Sequence, residues 1–127
     1  MKLIRSSSLK FIPASHEDPN NPGVWKKVLF QKDDIKQGTV QMVNWARLPK
    51  GAKFTSHYHE DMDEVFIIIS GEVELIIGDT RETMRAGDAV LVGAREIHQM
   101  QNSGDSDLEY VVFGVATGKG GQTVVVE

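Results

Sequence analysis

Gly51-Ala-Lys-Phe-Thr-Ser-His57-Tyr-His59-Glu-Asp-Met-Asp-Glu64-Val-Phe-Ile-Ile-Ile-Ser-Gly71 is the stretch that decides the fold. His57 and His59 stand two apart. On an extended strand, residues i and i+2 point to one face, so both imidazoles can meet one ion. Glu64 follows a short bend at Glu60-Asp-Met-Asp63. It opens a run, Val65–Ser70, that is almost wholly apolar and β-branched, the pattern of a strand buried on both faces. A second stretch, Gly87-Asp-Ala-Val-Leu-Val-Gly93-Ala-Arg95-Glu-Ile-His98-Gln-Met-Gln-Asn102, adds one more imidazole. His98 can join the others only by folding. Three imidazoles and a carboxylate suit one divalent ion of borderline character: Zn, Fe, Mn, Ni or Cu. A six-coordinate ion held by such a set keeps about two positions for water, substrate or oxygen.

Outward from these stretches the chain reads as strand, turn, strand. Thr39–Leu48 is a β-rich run ended by Pro49-Lys-Gly51. Gly71–Ile77 alternates, with Val73, Leu75 and Ile77 on one face, and Thr80–Arg85 returns after the turn Gly78-Asp79. Ala89–Val92, Ile97–Asn102, Leu108–Val115 and Thr123–Val126 follow, the last after the glycine break Gly118-Lys-Gly-Gly121. Val24–Gln31 is an earlier strand, followed by a charged turn. Pro13, Pro19 and Pro22 exclude a regular element between them, so that segment, with His16, is expected as a solvent-exposed loop. No segment sustains a helical apolar period. Short strands punctuated by glycine turns indicate an all-β sandwich or barrel. One domain is expected: residues 1–37 as an N-terminal strand and loop extension, 38–117 as the barrel core, 118–127 as a C-terminal strand.

A chain of 127 residues can bury one core. Its net charge of −4, with acids and bases mixed, lacks the basic face that a nucleic-acid partner requires. There are no cysteines, which removes disulfides, thiolate ligands and cysteine nucleophiles. No signal-type apolar stretch and no membrane-length run is present, so a soluble, cytoplasmic protein without a membrane partner is expected.

The two quoted stretches resemble the two motifs of the cupin superfamily, in its small single-domain, metal-binding form. The first agrees at Gly51, His57, His59, Glu64 and Gly71; the second agrees at Gly87, His98 and Asn102. It departs at Gly93, where cupins often carry proline, and at Arg95, where they often carry glycine. The resemblance covers roughly residues 38–115. It implies a cupin-type jelly-roll β-barrel of two antiparallel sheets, with one divalent metal held inside by His57, His59, Glu64 and His98. Alternation alone leaves Asp63 as a competing carboxylate, since either parity gives an apolar strand face; the motif spacing to Gly71 selects Glu64. Cupins include dioxygenases, decarboxylases, isomerases, sugar-binding regulators and storage proteins, so the frame does not choose the activity.

Candidate pocket residues follow from strand parity: Met42 and Asn44 before the first motif, Phe66 after Glu64, Met100 beside His98, and Tyr110 and Val112 on the late strand. Asn44 and Tyr110 are the polar handles of a mainly apolar pocket, which suits a small, partly apolar acid, phenol or enol better than a phosphorylated sugar. Asn102 is expected to satisfy backbone groups at a strand end. Lys53, Arg47 and Arg95 are read as surface cations near strand ends. A metalloenzyme acting on a small oxygenated molecule is preferred over a non-catalytic binding module, because the ligand set leaves coordination positions open. No residue stands out as a dedicated general base. A homodimer is expected, with the apolar flanks Leu9–Ile12 and Thr123–Val126 covering a partner's sheet edge.

Overall fold

The computed structural model describes residues 6–34, 39–116 and 122–126. The strands are β1 (Ile12–Pro13), β2 (Trp25–Gln31), β3 (Val40–Leu48), β4 (His57–His59), β5 (Met62–Ser70) and β6 (Glu72–Ile77). They continue as β7 (Thr80–Arg85), β8 (Ala89–Val92), β9 (His98–Gln101), β10 (Leu108–Ala116) and β11 (Thr123–Val125). Single turns of 3-10 helix occur at Ser6–Ser8 and Lys32–Asp34. No helix among the described residues is long and apolar enough to cross a membrane.

Two antiparallel sheets form the jelly roll, one in the order β1-β2-β3-β10-β5-β8 and the other β11-β4-β9-β6-β7. Among the described residues no strand of one sheet pairs with a strand of the other. Gly71 carries the chain between them. Its φ of 93° is open to glycine, and a Cβ there would lie 2.9 Å from the Asp107 carbonyl oxygen.

Each inward face changes character along its strand. On β5 it runs Glu64, Phe66, Ile68; on β3, Asn44, Ala46, Leu48; on β9, His98 then Met100. The apolar ends meet in one core containing Leu48, Phe54, Ile68, Val73, Leu75, Val92, Met100 and Leu108. The polar ends meet at the other end of the sandwich. The core also takes in Ala14 and Val24, so the N-terminal extension packs with the barrel.

Three expectations are corrected. Val65–Ser70 is buried on one face only: Phe66 and Ile68 are enclosed, while Val65 and Ile67 are half-buried and Ile69 is exposed. The sheet packs on one side and has no layer on the other, so its outer apolar residues keep contact with water. A short strand does form at Ile12–Pro13, because Pro13 stands on a sheet-edge strand, where its missing N–H breaks no ladder. His16 is not a free surface residue, as the site shows. The segment boundaries expected at Gly38 and Gly118–Gly121 lie outside the described residues.

Candidate metal centre

The candidate ligands come from both sheets. His57 and His59 project inward from β4, and His57 is paired in register with His98 on β9. Glu64 projects from β5 in the facing sheet. All four are buried, and one donor atom from each lies within 4.8 Å of the rest. Glu64 Oε1 is 2.7 Å from His59 Nε2 and 3.1 Å from His98 Nε2. Asp63, the competitor, points the other way and its carboxylate accepts the Ala94 N–H at 2.9 Å.

The far side of each ring is held. His57 Nδ1 donates to the Thr55 carbonyl at 2.6 Å, and His98 Nδ1 to the Glu96 carbonyl at 2.9 Å. These bonds place the protons on Nδ1 and leave the Nε2 lone pairs for an ion. His59 Nδ1 lies 3.1 Å from the Thr123 hydroxyl on β11. His59 Nε2 is fully enclosed and, although close to Glu64, lacks hydrogen-bond alignment. An enclosed nitrogen aimed at a carboxylate without bonding to it is what a ligand atom looks like beside an ion. The donor set therefore fits a divalent metal.

Charge states agree. Burial holds the His57 imidazole down to about 3, helped by neighbouring His16 and His98, so the ring is neutral at ordinary pH. Burial alone would raise the Glu64 carboxyl. The neighbouring His59 and His98 outweigh that and hold it at about 2. Neutral imidazoles and an ionised carboxylate are the ligand forms a metal needs.

The departures from the cupin motif are accommodated locally. Arg95 takes the left-handed conformation that glycine would supply, with φ of 69°. Its N–H donates to the His59 carbonyl at 2.7 Å, and the Gly93 N–H donates to Glu96 Oε1 at 2.7 Å. The turn is thereby stitched to β4. Asn102 acts as expected, its Nδ2 donating to the Leu48 and Ser106 carbonyls at 3.0 and 2.9 Å, its Oδ1 accepting the Gly104 N–H at 3.1 Å. Arg47 pairs with Glu109 on the outer face and lies over Phe11, while Lys53 is exposed.

Beside the ligands lies a cavity of about 70 Å³. Met42, Asn44, Phe66, Tyr110 and Val112 line it, together with His57 and Glu64. Met100 does not; it is wholly enclosed in the core beneath His98. Tyr110 is buried in this wall. Burial, with Glu64 and Glu17 nearby, raises its pKa far above the usual phenol value, so it remains a neutral donor.

His16 and Lys26 also line this cavity, and motif reasoning passes over both. The His16 ring stacks on His57 at 4.3 Å between centroids, and its Nε2 is enclosed without a hydrogen bond. Glu17 explains the placement. Its buried carboxylate accepts the Gly23 N–H at 2.8 Å and the Thr55 N–H at 2.9 Å, pinning the loop over the site. Gly23 permits the approach, since a Cβ there would stand 2.0 Å from the Lys53 carbonyl oxygen. A free carboxylate directly after a histidine in a proline-bounded loop was the available signal, and it is weak.

Two antiparallel sheets with three imidazoles and a carboxylate converging between them define a cupin architecture with a candidate metal site. The family profile of the cupin domain matches residues 44–114, more than half of the chain, and the chain belongs to that family. It is 31% identical over 65 residues to an oxalate-binding protein of Thermotoga maritima, covering 51% of this chain and 54% of that one. It is 26% identical over 76 residues to the pectin degradation protein KdgF of Dickeya dadantii, covering 60% of this chain and 64% of that one. The matched stretch thus spans between about half and two thirds of these relatives. Among solved structures, a predicted oxalate decarboxylase from Thermotoga maritima superposes with TM-score 0.81 at 24% identity, covering 91% of this chain and all of that one. A cupin-superfamily sugar phosphate isomerase from Silicibacter pomeroyi gives TM-score 0.78 at 22% identity over 99% of this chain and 82% of that one. At such identities the likeness is one of fold.

Proposed function

We propose that the protein is a mononuclear metalloenzyme that binds one divalent transition metal through His57, His59, Glu64 and His98 and acts on a small oxygenated organic molecule. The observation that carries this reading is the convergence of those four donors, with two imidazoles held at Nδ1 by backbone carbonyls, at the wall of a cavity. A bound metal would supply Lewis acidity or oxygen activation, the basis of dioxygenase-, isomerase- or decarboxylase-like chemistry. The chain's own residues do the remaining work. Phe66, Val112 and Met42 exclude water from the cavity wall. Tyr110 offers a neutral O–H donor and Asn44 an amide. His16, stacked on His57, restricts how that ring can turn. The names of the relatives support a small acid or a sugar as the molecule bound or acted on.

One observation favours a second reading, a non-catalytic binding module: the relative at 31% identity is named for binding alone. Elemental analysis of protein reconstituted at neutral pH tests the shared premise. One metal per chain is expected, lost in a His57→Ala, His98→Ala double variant; no metal in the wild type ends both readings. A screen of metal-loaded protein against small acids, sugars and phenols then separates them. In the enzyme reading Glu64→Gln lowers turnover far more than affinity. Tight binding of a metabolite without turnover selects the binding module.

A further inference from the structure

Lys26 occupies a position that a sandwich strand normally gives to an apolar side chain. It is opposite Ala46 across the β2–β3 ladder, and Val28 is opposite Asn44. Cross-strand partners share a face, and Ala46 and Asn44 face inward. Lys26 therefore points between the sheets. It lines the cavity beside His57 and Glu64, and also the larger mouth of about 460 Å³ outside it. Among the described residues it has no carboxylate partner. Burial lowers its pKa from the usual lysine value, and no acidic neighbour offsets this.

Asn44 stands at the same junction and also lines both spaces. It is 7% exposed, and its Oδ1 is enclosed without a hydrogen bond. A half-buried cation without a counter-charge is costly to keep unless something bonds to it, and the Asn44 amide beside it offers an N–H donor at the same junction. Among the described residues Lys26 is the one lysine or arginine lining the cavity; the remaining wall is apolar at Val24, Ala46, Phe66 and Val112, carries the Ser15 and Tyr110 hydroxyls and the His16 and His57 rings, and is acidic at Glu64. An anionic group thus finds its fixed positive charge at Lys26. The other lysine of the mouth, Lys32, is exposed and does not line the inner cavity.

We infer that Lys26 and Asn44 form a carboxylate subsite at the neck of the cavity, and that the ligand is a short organic acid whose carboxylate lies remote from the oxygens it presents to the metal. This rests on the metal reading above and adds the charge and polarity of the ligand's outer end. A single lysine without an arginine or a helix N-terminus matches one carboxylate better than a phosphate dianion. Lys26 lies outside residues 44–114, so the charge of the subsite comes from this chain's N-terminal strand, while Asn44 stands within the family's matched region.

The test uses two probes that differ in one group, malate and its 4-monoamide, titrated calorimetrically into zinc-reconstituted protein. The wild type is expected to bind the diacid roughly tenfold or more tightly than the monoamide, the value of a charge-assisted pair away from bulk water. Lys26→Met is expected to bring the two affinities within about twofold, leaving zinc content and monoamide affinity unchanged. Lys26→Arg should keep the preference, and Lys26→Gln serves if the methionine variant does not fold. A wild type that binds neither probe or does not distinguish them, or a preference that survives in Lys26→Met and Lys26→Gln, overturns the subsite. If the wild type takes up no zinc, the metal reading fails separately. The same pair is then titrated into metal-free protein, where a preference dependent on Lys26 still supports the subsite and its absence overturns it.

Discussion

Replacing Glu17 by alanine should loosen the lid of the site while leaving the metal ligands in place. The Glu17 carboxylate is buried and accepts backbone N–H groups from Gly23 and Thr55. A hydrogen bond to a charged group contributes about 1.5–3 kcal/mol, and a stranded buried N–H costs a similar amount. Two such bonds give a gross loss of about 3–6 kcal/mol. Relieving the burial of the carboxylate offsets part of that. A net destabilisation of about 3 kcal/mol is expected, on the order of 10 °C in melting temperature for a domain of this size. Glu17→Gln keeps one acceptor oxygen and should cost roughly half as much. Urea unfolding of the metal-free variants measures both. The ligands His59, Glu64 and His98 are held by other contacts, so zinc stoichiometry of the alanine variant should remain that of the wild type. A Glu17→Ala protein within about 0.5 kcal/mol of wild type would refute the account of how the loop is pinned.

Asn102→Ala removes a side chain that bonds to Leu48, Ser106 and Gly104, and should cost about 3 kcal/mol in urea unfolding while leaving metal content unchanged; a cost below about 1 kcal/mol would contradict the bonding. In the metal-free protein His57 titrates near 3 instead of the usual 6.5. The unfolded chain therefore takes up its proton first, and stability falls as pH drops from about 6.5 towards 3, by at most about 5 kcal/mol. Glu64, held at about 2, adds a further loss below about pH 4.5. Chemical denaturation at stepped pH reads both, and stability flat between pH 7 and 4 would exclude the His57 contribution. The protein is expected to be a homodimer through its sheet edges: β1 and β11 pair inside the chain but are the outermost strands of their sheets, with Ile12 and Val125 exposed. Light scattering that stays at 14.1 kDa across a concentration series would reject it.

The four residues that converge between the sheets, and the succession of strands that carries them, were legible in the linear chain, because their signals are local. Two histidines at strand spacing share a face whatever surrounds them, and glycines such as Gly71 mark turns that only φ above zero can make. Where two parities were equally apolar, as at Asp63 and Glu64, alternation was silent and motif spacing carried the choice. The facing of His98 against His57, and of Glu64 against His59, was a tertiary matter, since it depends on which strands stack between the sheets. So was the one-sided burial of β5. The placement of His16 and Lys26 was the least legible. A histidine in a proline-bounded loop and a lysine in a half-polar strand read as surface groups, since side-chain chemistry alone favours water for both. What turned them inward was the register of β2 on β3 and the bonds of Glu17 to Gly23 and Thr55. These contacts join residues far apart in sequence, and each has an energy that only the folded geometry supplies.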